Sequence, residues 1–97
     1  MGSLNDRIQG ASLEELRCEI DVINAQLKEL LLRRLVVSAA IAEEKRRLGL
    51  PIENKEREAE IIRRISEDLE GNCKEHMQKI FRELFVWSKE EQQKIFL

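Results

Sequence analysis

Residues 12–48 contain neither glycine nor proline and read as one uninterrupted helix. Leu, Ile, Ala, Glu, Lys and Arg, all good helix formers, dominate the run. Ser12 and Glu15 open it as a capping box, in which hydroxyl and carboxylate each meet a backbone N–H of the first turn. Gly49 and Pro51 close it. At about 1.5 Å per residue such a helix reaches ~55 Å. A compact globule of 97 residues is only about 30–35 Å across. The excess length must lie against something, and a second copy of the chain is the simplest cover.

The helix carries a stripe suited to that cover. Leu16, Ile20, Ile23, Leu27, Leu30, Arg34, Val37, Ile41 and Leu48 follow alternating spacings of four and three, skipping only Glu44. This is the seam of a helix packed lengthwise on other helices. The expected architecture is all-α, with three helices per chain, one of them very long, in an intertwined homodimer.

Two shorter helices complete the chain. Asn54 caps a helix over residues 55–70, ended by Gly71. Asn72 with Glu75 forms a second cap-like pair and opens a third helix from Cys73 to near the C-terminus. Residues 1–11 lack periodicity, and their Met-Gly-Ser start reads as a disordered or expression-derived stretch outside the fold. Residues 12–97 are then expected to form one domain.

Composition removes most functions. Seventeen Lys and Arg against nineteen Asp and Glu leave a net charge of −2, which argues against nucleic acid and anionic membrane surfaces as partners. No apolar run approaches the ~20 residues that span a bilayer. Two cysteines, Cys18 and Cys73, cannot build a disulfide scaffold or a metal knuckle, which points to packed thiols in a reducing cytoplasm. One histidine, His76, and no tyrosine leave no Ser-His-Asp arrangement and no zinc site. No metal and no cofactor is expected.

What stands out is polarity in apolar places. Arg34 sits in the seam itself, and a neighbouring row reads Arg17, Asn24, Leu31, Ser38, Lys45. Arg57 and Glu58 follow the Pro51 turn, and Ser88 and Gln92 interrupt the packing row of Met77, Phe81, Leu84 and Ile95. Each has a plainer reading alone: Arg34 can snorkel outward, Arg57 and Glu58 can be a solvated first turn, Ser88 and Gln92 can be boundary residues. Spacing joins some of them. Arg34 and Lys45 are 11 residues apart, about three turns and ~16.5 Å, so they point the same way and can span a small ligand. Arg17 lies 28 residues before Lys45, or ~42 Å. It can reach the same ligand only from the antiparallel helix of a partner.

The ordered set Arg17, Arg34, Lys45, the Leu50-Pro51-Ile52 turn, Arg57-Glu58, Ser88 and Gln92 resembles the all-helical, AroQ-class chorismate mutases over residues 13–96. The resemblance implies an intertwined dimer with two equivalent sites, each built by one chain and completed by Arg17 of the other. The reaction implied is the pericyclic rearrangement of chorismate to prephenate, on the route to phenylalanine and tyrosine. It needs no nucleophile, metal or general base. By the same resemblance Arg34, Arg57 and the partner's Arg17 serve the substrate carboxylates, and Lys45 and Gln92 donate to the ether oxygen. Glu58 accepts from the ring hydroxyl with backbone help at Asn54, and Ser88 assists a carboxylate. The catalytic set is thus Lys45, Gln92, Arg34 and Glu58.

Two departures from the family pattern are visible. Asn54 stands where many relatives carry Asp, and the turn around Gly71 is a residue or two shorter. Two rivals remain. Isochorismate-pyruvate lyases share the fold but carry an apolar residue in place of Glu58. A non-catalytic dimerisation module explains the seam but not the cations. A fragment of a fused enzyme is a third possibility, though the chain has no room for a second catalytic domain.

Overall fold

A computed structural model of the chain describes residues 8–96. Among them three long helices follow one another: α1 (Leu13–Leu48), α2 (Lys55–Ser66) and α3 (Gly71–Phe96). The chain is all-helical, with one helix of 36 residues, as its breaker pattern predicts. The expectation for residues 1–11 falls mostly outside the described residues. No helix among the described residues is long and apolar enough to cross a membrane.

Both ends of α1 form as the sequence dictates. The Ser12 N–H donates to Glu15 Oε1 at 3.1 Å, and the Glu15 N–H donates to Ser12 Oγ at 3.1 Å, the reciprocal pair of a capping box. At the other end Gly49 takes φ +70°. Its N–H donates to the Arg46 carbonyl at 3.2 Å, and the Leu50 N–H donates to the Lys45 carbonyl at 2.8 Å. These two bonds make a Schellman motif, which needs a left-handed residue after the helix and so needs the glycine.

The second turn departs from expectation. Helix α2 ends at Ser66, not at residue 70, and α3 begins at Gly71, two residues before Cys73. Ser66 explains the early stop. Its hydroxyl donates back to the Ile62 carbonyl at 2.6 Å and accepts from Gln78 Nε2 at 3.0 Å. The serine is buried against α3, and the Leu69 N–H closes a tight turn on the Ser66 carbonyl at 3.0 Å. A serine that bonds backward competes with helix continuation. Gly71, at φ +58°, turns the chain into α3, so Asn72 and Glu75 lie inside that helix instead of capping it.

The described residues divide into two compact units at Arg34 and Leu35, and α1 contributes to both. In the first, Ile20, Val22, Ile23, Leu27 and Leu30 are 43–56% exposed. In the second, α2 packs along α3, and Ala42 and Phe85 form the buried apolar centre. Ser38, Ser66, Ser88 and Gln92 are buried with them, and no buried side-chain nitrogen or oxygen among the described residues lacks a partner. The α3 row of Met77, Phe81, Leu84 and Ile95 is half-buried, as its spacing anticipates. Cys18 and Cys73 are exposed, not packed. Cys18 lies off the α1 seam and Cys73 in the first turn of α3, where little covers them.

Candidate active site

The Schellman turn places Lys45. Its carbonyl is held by the Leu50 N–H, and its ammonium, half-buried, donates to the Ile52 carbonyl. The chain therefore wraps round this lysine at both ends and fixes a cation at the close of α1. A lysine ammonium has three protons, so one bond to Ile52 leaves donors for a second acceptor.

Asn54 begins α2. In extended backbone, at φ −134° and ψ 94°, its Oδ1 accepts from the Arg57 N–H at 3.0 Å. The cap read from the sequence is present, and it aligns the first turn that carries Arg57 and Glu58. Their side chains part company. Arg57 is exposed and pairs with Glu60 at 2.8 Å, so its guanidinium lies along the helix surface. Glu58 is half-buried, and its Oε2 lies 3.1 Å from Lys89 Nζ on α3.

On α3 the two polar residues of the apolar face are both deep. Ser88 is 8% exposed and Gln92 7%, which disposes of the boundary reading. Gln92 Nε2 donates to Ser38 Oγ at 2.9 Å and to the Ser38 carbonyl at 3.2 Å. Burial of an amide is tolerated because α1 supplies acceptors for it. In the first unit Arg17 is exposed and Arg34 half-buried.

This geometry offers anchored donors in Lys45 and Gln92 and a held carboxylate in Glu58, a layout for binding and electrostatics. The family model for chorismate mutase type II matches residues 16–93. The chain belongs to the type II chorismate mutases. It is accordingly an isomerase, a chorismate mutase that rearranges chorismate to prephenate. No curated protein and no solved structure matches the chain.

Within the second unit of this chorismate mutase, the Ile52 carbonyl holds Lys45, the Arg57 N–H holds Asn54 and Lys89 holds Glu58, while Ser88 and Gln92 are buried. Sequence reading passed over Lys89 and gave Ser38 no task. Both were discoverable from spacing. Lys89 is four residues after the buried Phe85 and three before the buried Gln92, so it shares their side of α3. Ser38 is seven before Lys45, in the polar row already marked on α1.

Proposed function

We propose that this chorismate mutase works as an intertwined homodimer with two equivalent sites, each formed mainly by residues 12–97 of one chain and completed by the partner's Arg17. The observation that carries this reading is the seam of α1. Ile20, Ile23, Leu27, Leu30, Val37, Ile41 and Leu48 stand 43–58% exposed in the single chain. Burying one such side chain is worth about 1.5–3 kcal/mol, and a contiguous apolar stripe of this kind marks an association surface. A self-complementary two-fold pairing doubles every contact.

On this reading the dianionic substrate is held by Arg34 and the partner's Arg17, whose planar guanidinium forks match carboxylates. Arg57 stands at the rim, where a substrate carboxylate competes with Glu60 for it, and Ser88 assists. As the ether C–O bond breaks, negative charge grows on its oxygen. Lys45, anchored on the Ile52 carbonyl, and Gln92, anchored on Ser38, donate to that oxygen. Anchored donors need no reorganisation when the charge appears, and losing one raises the barrier by about 2.7–4 kcal/mol. Glu58 accepts from the ring hydroxyl and so selects the substrate's orientation. Folding the enolpyruvyl arm over the ring supplies the remaining term.

The product feeds phenylalanine and tyrosine synthesis in the cytoplasm. Separate incubation with chorismate and isochorismate tests the chemistry. Prephenate from chorismate is expected. Salicylate with pyruvate from isochorismate as the dominant reaction would replace the mutase reading with that of the lyase. Sedimentation at twice the chain mass is expected, and a strictly monomeric active species removes the shared site.

A further inference from the structure

Lys89 has no part in the chemistry above, yet its placement is unlike that of the cations paired along one helix. Arg46–Glu43, Arg57–Glu60, Arg64–Glu60 and Lys94–Glu91 run along the surface of single helices, where ion pairs contribute little. Lys89 reaches from α3 to other elements. Its Nζ lies 3.1 Å from Glu58 Oε2 on α2 and 3.7 Å from Glu53 Oε1 in the preceding turn. The side chains of Lys89 and Glu58 are only 29% and 27% exposed, against 50% for Glu53. The closer and more sheltered partner is Glu58.

We propose that Lys89 is a positioning residue for Glu58. A glutamate has three side-chain torsions, and an unpaired one samples several rotamers, so aiming it carries an entropic penalty at binding. Lys89 removes that freedom in advance by holding Oε2. With Oε2 engaged by Lys89 at 3.1 Å, Oε1 is the oxygen left to meet a donor. The same pair ties the first turn of α2 to the segment of α3 that bears Ser88 and Gln92. A hydroxyl entering the site then finds a carboxylate already oriented, which is where preorganisation raises rate. The inference rests on the acceptor role proposed for Glu58.

A kinetic double-mutant cycle on the full chain tests it, with chorismate as substrate and helix content followed by circular dichroism. Lys89→Met is expected to lower kcat/KM about tenfold while helix content holds, and Lys89→Arg to stay within about threefold of wild type. The Lys89→Met loss should persist in a Glu53→Gln background and vanish in a Glu58→Gln background. Wild-type kinetics in Lys89→Met overturn the proposal. So does an equal loss in the Glu58→Gln background, or a loss that disappears with Glu53→Gln, which would make Lys89 a clamp on the turn. If Lys89→Met loses helix content, Lys89→Gln serves the same cycle. Failure of the wild type to convert chorismate defeats the parent reading, and is separable from these outcomes.

Discussion

Gln92 directs its amide nitrogen at Ser38, 2.9 Å from Oγ and 3.2 Å from the backbone carbonyl. A carbonyl can only accept, so the atom facing it must be the nitrogen, and the orientation of the amide is settled by α1. The amide nitrogen carries two N–H groups, and the donor role proposed for Gln92 uses one of them on the ligand while the Ser38 oxygens hold the nitrogen in place. Glutamate at this position lacks that donor unless it is protonated, and its anion opposes the Ser38 carbonyl. Gln92→Glu is expected to lose about 10²–10³ in kcat at neutral pH and to recover as pH falls through the carboxyl range. A pH–rate profile of the variant beside the wild type checks this. A variant with wild-type turnover at neutral pH removes Gln92 from the donor role.

Asn54 bears on the family departure at that position. Its Oδ1 is occupied by the Arg57 N–H at 3.0 Å, which an aspartate oxygen does equally well while favouring the helix dipole. Asn54→Asp should therefore leave folding stability unchanged or slightly raised, whereas Asn54→Ala should cost about 1 kcal/mol. Urea unfolding distinguishes them. An alanine variant as stable as wild type means the cap contributes nothing.

The contrast between what the sequence reveals and what it hides follows from the range of the interactions. Ser12, Gly49 and Asn54 act within a few residues, so their caps and turns are legible from spacing alone. Ser66 is different: its hydroxyl bonds back to the nearby Ile62 carbonyl, but what fixes it there is Gln78, twelve residues away on another helix, and spacing does not show that partner. The same holds at the site. Ser88 and Gln92 are visible as polar residues on an apolar row, and spacing puts Ser38 on the polar row of α1 and Lys89 on the side of α3 that carries Gln92, but their partners, Gln92 and Glu58, come from other helices. Arg57 pairs with Glu60 one turn along its own helix at 2.8 Å, a contact of the same short range as the caps.

The capping box gives a pH signature. The Ser12 backbone N–H, and after it the Ser12 hydroxyl, hold the Glu15 carboxyl below the usual glutamate range. A carboxyl depressed in the folded state stabilises fully above its unfolded pKa and loses that contribution as pH falls through the folded value. The stability difference between wild type and Glu15→Gln should hold at neutral pH. It should shrink below the ordinary carboxyl range, ~4.3, as Glu15 takes up its proton. Thermal melts of the two proteins from neutral pH downward measure it, and a difference that grows on acidification contradicts the assignment.

The shared site proposed above makes a quantitative demand on subunit mixing. Arg17→Ala and Arg34→Ala homodimers each lack one carboxylate fork in both sites and should be nearly inactive. Mixing equal amounts to random exchange makes half the dimers hybrid. In a hybrid, one site receives both defects and the other receives neither, because the two arginines of a site come from different chains. One intact site in half the dimers returns about a quarter of wild-type activity. Chorismate turnover before and after exchange, with hybrid formation followed by mass, gives the number. If both arginines served a site within one chain, every site would keep a defect and mixing would restore nothing. Full exchange without recovery therefore eliminates the partner's Arg17 from the site.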